Sequence, residues 1–360
     1  MTIPQTIDEL TPAFLTTALA SASGGGTVGA VRADDIGVGV GVFGIIARLH
    51  LTWADASPHA PTTVIAKMPT EAAANRHVGQ LLGLYAREHH FYATDACRGV
   101  LPLATCHFNA GDADDGTYLL LLEDLATLEP GDQLAGLGLA RATRIVEQLA
   151  AFHARWWDKP ELDDLIWLPR QDDPLYLAVV PPIVTAGLAA LGPFEATLPA
   201  GSIELARRVE ASFVELTHAC AKGPRTFVHG DARLDNLFFL PGTDECTVID
   251  WQLSMRCRGV ADIVWLLATS MDPEVQNTAL DDVLAAYRAA LAAHGVDVTE
   301  ADLRLAAAEH AGYLLSGPLS LIGTFDFAEA GDGRAAALTR KWVHRGFNLA
   351  LQLGTADIVG

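Results

Sequence analysis

Between residues 27 and 68 the chain is built from short runs rich in β-branched and aromatic residues, set apart by glycine or proline clusters. The runs at 27–32, 43–53 and 62–68 show partial alternation of apolar and polar positions, which predicts three strands. Ahead of them, residues 8–20 predict a short amphipathic helix with Thr6 or Asp8 at its cap, followed by a glycine-rich break at 21–26. Behind them the period becomes helical. Leu81, Leu82, Leu84, Tyr85, Phe91 and Tyr92 fall on loosely helical spacing, and residues 73–96 predict one long helix. Two further strands are expected at 104–108 and 117–122, completing a five-stranded, antiparallel, helix-containing first lobe.

Glu123-Asp124 marks a switch, because strand signals become scarce beyond it. Helical patterns cover 137–157, 203–221, 260–271, 273–294, 299–315 and 334–353. One β-like island interrupts them at 226–251, with apolar runs at 237–240 and 247–249 around a Pro241-Gly242 turn. The pattern predicts an α+β, two-lobed chain: a small sheet lobe over 1–122, a hinge over 123–130 and a larger, mostly helical lobe over 131–360. No internal repeat and no low-complexity linker is evident.

Composition narrows the function classes. Of 360 residues, 50% are hydrophobic and 19% charged, which indicates a globular chain with enough apolar material for two cores. The formal net charge of -20 repels phosphate backbones and anionic lipid heads, so nucleic acid and membrane partners are not expected. Five cysteines without a close pair argue against a disulfide framework or a zinc knuckle, and for a reducing compartment. The first ten residues carry acids where a signal peptide has basic and apolar residues. No apolar run reaches the ~18–20 residues of a membrane span. A cytoplasmic protein is expected; oligomeric state is not legible.

The island at 228–251 holds the candidate chemistry. Asp231, Asn236 and Asp250 lie within one compact hairpin among apolar flanks. Buried carboxylates must be paired, hydrogen-bonded or bound to a cation. Phosphoryl transfer from ATP uses such a set: one carboxylate takes the proton of an acceptor hydroxyl, and hard oxygen donors hold Mg²⁺. His229-Gly230-Asp231-Ala232-Arg233-Leu234-Asp235-Asn236, followed by Val248-Ile249-Asp250-Trp251-Gln252, resembles the aminoglycoside phosphotransferase and choline kinase group. Within that group it is most similar to the ecdysteroid kinase-like, CHK-type branch.

The resemblance implies a protein-kinase-like fold, ATP and Mg²⁺ as cofactors, and a small-molecule hydroxyl acceptor. It makes Asp231 the catalytic base and Asn236 and Asp250 the metal ligands. His229 would pin the loop, and Arg233 would stand near the transferred phosphate. Asp262, at the start of the following helix, would hydrogen-bond the loop backbone. Aminoglycoside-type antibiotic kinase and nucleotide-binding pseudokinase are the alternatives. A true protein kinase fits less well, since Trp251-Gln252 replaces Phe-Gly and a helical pattern restarts by Val260.

On the nucleotide side, the glycine-rich run of Gly37, Gly39, Gly41, Phe43 and Gly44 sits between the first two predicted strands, where backbone amides can approach phosphates. Gly39, Gly41, Phe43 and Gly44 are the candidate contacts. Lys67 ends the third predicted strand and would hold the α/β-phosphates. Glu88 is its expected partner; Glu71 is the other choice, equally readable as a helix-start charge. Backbone groups near Glu123 and Leu125 would receive adenine, while the side chains of Glu123 and Asp124 are as readily solvated or capping. His153 reads as a core residue, and His89-His90 as a helix-face pair without the partners of a metal site. Segments 313–327 and 342–347, with Asp326, Glu329 and His344, are candidate acceptor walls.

Overall fold

The computed structural model describes residues 2–36, 43–94, 96, 99–112, 116–324 and 333–360. The chain forms two compact units: one of Met1–Arg98, Pro102–Leu128 and Ile249–Leu253, the other of Gly99–Leu101, Glu129–Val248 and Ser254–Gly360. The second stretch of the first unit ends at Leu128. The segment Ile249–Leu253, expected with the helical lobe, belongs to the sheet unit.

The first unit opens with a 3-10 turn at Ile7–Glu9 and helices α1 (Pro12–Ala18) and α2 (Ala20–Ser23). The first helix starts later than expected because Thr11, and neither Thr6 nor Asp8, accepts the capping bond from Phe14 N–H at 3.3 Å, and Pro12 has no amide hydrogen to lose. Strands β1 (Thr27–Asp35), β2 (Gly44–Asp55) and β3 (Thr63–Pro69) precede α3 (Ala73–Leu81) and α4 (Leu84–Ala93). Strands β4 (Cys106–Asp112) and β5 (Thr117–Glu123) complete an antiparallel sheet in the order β1-β2-β3-β5-β4. The expected single helix over 73–96 is two, because Gly83 adopts φ 68°, a left-handed conformation that ends one helix and that glycine takes without a Cβ penalty.

Central strand β3 is buried on both faces. Val64, Ala66 and Met68 pack with Leu15, Leu49, Leu119 and Leu121 in one apolar cluster. Ile65 points the other way, against a cluster of Tyr85, Tyr118, Leu120 and Leu122. The two-residue strand period puts Lys67 on the Ile65 face, an ammonium among aromatic and aliphatic side chains.

The second unit begins with β6 (Glu129–Pro130), followed by α5 (Leu139–Trp156), α6 (Glu161–Asp164), α7 (Pro174–Ala189), α8 (Ser202–Ala211) and α9 (Phe213–Cys220). Strands β7 (Thr226–Val228), β8 (Leu237–Phe239), β9 (Cys246–Val248) and β10 (Met255–Cys257) form two small sheets, β6-β8-β9 and β10-β7. Helices α10 (Val260–Ser270), α11 (Pro273–Ala293), α12 (Glu300–Leu314), α13 (Ser316–Thr324) and α14 (Arg334–Gln352) follow. The sequence pattern missed α7, whose interior holds Pro181 and Pro182 and whose apolar residues fall on every face. It also missed α13, and it fused α8 with α9 across Ser212. Every residue of α10 is buried, so this helix is the core of the unit. Among the described residues no helix is long and apolar enough to cross a membrane.

Candidate active site

In the first unit Lys67 gathers two carboxylates. Its Nζ lies 2.7 Å from Glu88 Oε2 and 2.8 Å from Asp250 Oδ1. Glu88, fully buried on α4, also accepts the Trp251 backbone N–H at 3.3 Å and stands 3.4 Å from the Tyr118 hydroxyl. Burial opposes both charges and raises the Glu88 carboxyl. At Lys67 burial likewise works to lower the ammonium, but the attraction of Asp250 and then Glu88 outweighs it and holds the group above its ordinary value. Lys67 is therefore a charged, desolvated cation that cannot lose a partner without cost. Glu71, the alternative partner, is exposed.

Asp250 reaches this cation because its neighbours are anchored in the sheet unit. The Trp251 ring stacks on Phe91 at 3.9 Å, and Gln252 Nε2 donates to the Tyr118 hydroxyl at 3.0 Å. Asp250 itself has φ 66°, a left-handed backbone uncommon for a residue with a Cβ and least costly for Asp or Asn. Such conformations persist where surrounding contacts over-determine them, and they cluster at functional sites.

The other sequence-derived nucleotide residues of this unit are placed as follows. Gly39 and Gly41 lie outside the described residues. Phe43 packs against the Tyr85 and Tyr118 cluster, its carbonyl accepting the Tyr85 hydroxyl at 2.7 Å and the Thr70 N–H at 3.1 Å. Gly44 opens β2 opposite Pro69. The Glu123 N–H donates to the Thr105 carbonyl at 2.8 Å and its carboxylate accepts from Thr105, while the Leu125 carbonyl takes the Leu128 N–H at 2.9 Å. The Asp124 carboxylate accepts two bonds from Arg48.

In the second unit a loop between β7 and β8 presents Asp231. Asp262, fully buried in the first turn of α10, fixes that loop by accepting the backbone N–H of His229 and of Gly230, each at 2.8 Å. His153 Nε2 stands 3.1 Å from the same carboxylate, and His153 Nδ1 is 2.8 Å from the Tyr287 hydroxyl. Burial works to raise the Asp262 carboxyl, yet His153, His229 and the Gly230 amide together hold it below its ordinary value. His229 Nδ1 accepts the Asp231 N–H at 3.1 Å, closing the turn. On the far side the 3-10 turn Leu234–Asn236 is clamped by the Leu234 N–H donating to Ser270 Oγ at 3.0 Å. Gly131 admits this turn, since a Cβ there would stand 2.2 Å from the Leu234 carbonyl oxygen.

The Asp231 carboxylate is buried and richly served. Oδ2 accepts Arg233 Nε at 3.0 Å and Asn236 Nδ2 at 2.9 Å, and Oδ1 accepts Trp265 Nε1 at 2.8 Å. Asn236 Nδ2 donates also to the Asp231 carbonyl at 2.9 Å. Because both partners of that nitrogen are acceptors, the amide's orientation is chemically dictated, and its oxygen points elsewhere. Trp265 was not singled out from the sequence. The available signal was its position three residues after Asp262, which on a helix puts both side chains on one face.

Of the acceptor-wall candidates, Asp326, Phe327 and Glu329 lie outside the described residues. Trp342 on α14 packs edge-on against Trp265 at 5.5 Å and beneath Arg233 at 5.8 Å. His344 is 3.2 Å from the Thr197 hydroxyl. His89 contacts Asn109 at 2.6 Å, and among the described residues no group of three or more His, Cys, Asp or Glu could hold a metal.

Over residues 72–296, more than half of its length, the sequence matches the profile of the phosphotransferase enzyme family. The chain belongs to that family. Solved structures agree on the fold. Choline kinase from Cryptosporidium parvum Iowa II aligns with TM-score 0.56 and 10% identity over 98% of this phosphotransferase and 96% of that chain. Choline kinase LicA from Streptococcus pneumoniae gives 0.50 and 13% over 93% and 98%. The GDP complex of an aminoglycoside 2'-phosphotransferase-IIIa mutant gives 0.50 and 14% over 96% and 98%. The α+β, protein-kinase-like fold is thus shared with these kinases. No curated protein matches the sequence. Nothing among the matches singles out the ecdysteroid kinase-like branch.

Proposed function

We propose that this phosphotransferase is an ATP-dependent small-molecule kinase that moves the γ-phosphate to a hydroxyl of a small organic acceptor. The observation that carries this reading is Lys67, whose ammonium grips Glu88 and Asp250 at once although Asp250 is 183 residues away in sequence. A lysine tied to a helix carboxylate and to an aspartate that serves the metal is the arrangement kinases use to order ATP phosphates. Asp231 acts as the base, oriented by its donors. Asn236 and Asp250 supply hard oxygen ligands for Mg²⁺, and the donor set fits: the Asn236 amide oxygen is turned away from Asp231, and Asp250 is a carboxylate. Few protein ligands suffice for this ion, because phosphate oxygens and water complete its shell. When bound, Mg²⁺ neutralises charge building on the phosphates. His229 shapes the loop, Arg233 meets the transferred phosphoryl group, and Gly39, Gly41, Phe43, Gly44, Glu123 and Leu125 are proposed nucleotide contacts.

The test is a Mg·ATP turnover screen over aminoglycosides, amino-alcohols, sugars and steroid alcohols, read by ADP release and by the mass of a phosphorylated product. Turnover is expected with one acceptor class, and Asp231→Asn or Asp250→Asn should lower kcat by at least about 100-fold. Nucleotide binding without phosphorylated product across the whole set, or full activity in either variant, defeats the proposal.

A further inference from the structure

An ionised carboxylate offers about four in-plane acceptor positions, two on each oxygen. At Asp231 the two donors Arg233 Nε and Asn236 Nδ2 fill Oδ2, while Oδ1 receives Trp265 Nε1 alone. Among the described residues these are the donors that reach the carboxylate, so the second position on Oδ1 is served by none of them. We infer that the acceptor hydroxyl gives its proton to Oδ1 of Asp231, at the position beside the Trp265 N–H, and that Trp265 is the positioning residue that keeps this oxygen turned toward the acceptor.

The indole suits that task for a chemical reason. It donates one hydrogen bond, accepts none and does not give up its proton near neutral pH, so it orients the base without competing for the proton. It is itself rigidly held. Trp265 is 8% exposed on a fully buried helix, and its ring meets Trp342 edge-on at an interplanar angle of 72°. Arg233 is a poorer anchor, since its side chain is 20% exposed and ends a longer, more flexible stem. The acceptor O–H bond breaks and its proton passes to Oδ1; the hydroxyl oxygen bonds to the γ-phosphorus; the bond from that phosphorus to the β–γ bridging oxygen breaks, and its electron pair leaves with ADP.

This rests on the reading of Asp231 as the base, and the experiment separates the two. Trp265→Phe keeps an aromatic ring and removes the N–H together with the five-membered half of the indole. With Mg·ATP and water as the acceptor, kcat for ADP release should fall about ten-fold or more, the loss expected for a hydrogen bond to a charged group. The KM for ATP should stay within about two-fold, because ground-state nucleotide binding is untouched. In an Asp231→Asn background the same substitution should change nothing further. In ¹⁵N-tryptophan-labelled protein, the indole signal of Trp265 should move in Asp231→Asn. It is assigned by its loss in Trp265→Phe or, if that variant misfolds, by elimination with Phe variants of the other tryptophans. An unmoved indole signal overturns the inference, as does wild-type kcat in Trp265→Phe when Asp231→Asn is inactive. Full activity in Asp231→Asn overturns the reading of Asp231 instead.

Discussion

Asp262 offers a stability test that does not depend on knowing the acceptor. Its carboxylate is fully buried and takes three donors: the His229 and Gly230 amides at 2.8 Å each and His153 Nε2 at 3.1 Å. Asp262→Asn changes almost no volume but replaces one acceptor oxygen with an NH₂ group facing donors. With its oxygen in the Oδ2 place the asparagine still accepts from His229 and His153, and the Gly230 N–H is left buried without an acceptor. A hydrogen bond to a charged group is worth about 1.5–3 kcal/mol, so the substitution should cost about that much. For a unit of this size that is a fall in melting temperature of about 3–12 °C. Thermal melts and hydrogen exchange of the 226–236 peptide should report it together, with faster exchange concentrated at Gly230. The sign with pH follows from the depressed Asp262 carboxyl. Its contribution is fully present above the unfolded-state pKa of about 4 and is lost as pH falls through the lower folded value, so the gap between variant and wild type should narrow in acid. A variant within about 1 kcal/mol of wild type at pH 7, with unchanged exchange in that peptide, would refute the reasoning, because exposed pairs such as Arg304–Asp281 are expected to give effects of that size.

Two further outcomes follow from buried charge. Lys67→Met should abolish ATP turnover and also destabilise the sheet unit by about 3–5 kcal/mol, because Glu88 is left buried without its cation. Adding Glu88→Leu should recover much of the melting temperature but none of the activity; an additive loss of stability would contradict the pairing. His310 is fully buried, its Nδ1 bonds the Ala306 carbonyl at 2.9 Å, and burial and then Arg258 push its imidazole down to about 3. Since the unfolded chain binds that proton near pH 6.5, stability should be complete above that value and decline by up to about 1.4 kcal/mol per pH unit below it. His310→Leu should flatten this decline between pH 7.5 and 5.5 in urea titrations, and parallel curves would count against it.

Local signals were legible along the chain wherever short-range spacing decides structure. The five strands, most helices and the 226–251 hairpin follow from alternation, helical period and turn residues, which depend on neighbours a few positions apart. The motif from His229 to Asn236 was readable for the same reason: its donors and acceptors lie within one turn of chain, as the His229 to Asp231 and Asn236 to Asp231 bonds show. The expected hydrogen bonds from the loop backbone to Asp262 are present as well. Where the pattern failed, a competing local signal misled it, as with the two prolines inside α7 and the glycine that divides α3 from α4. Tertiary structure alone decided the remainder. Whether Lys67 meets Glu88 or Glu71 depends on how α4 lies on the sheet, and that Asp250 joins the sheet unit depends on the stacking of Trp251 on Phe91. The donor to Asp231 Oδ1 came from Trp265, 34 residues away. Sequence spacing fixes which side chains share a face of their own element, but which face meets which is settled only when whole elements pack, because that choice minimises exposed apolar area and unpaired polar groups over the entire unit.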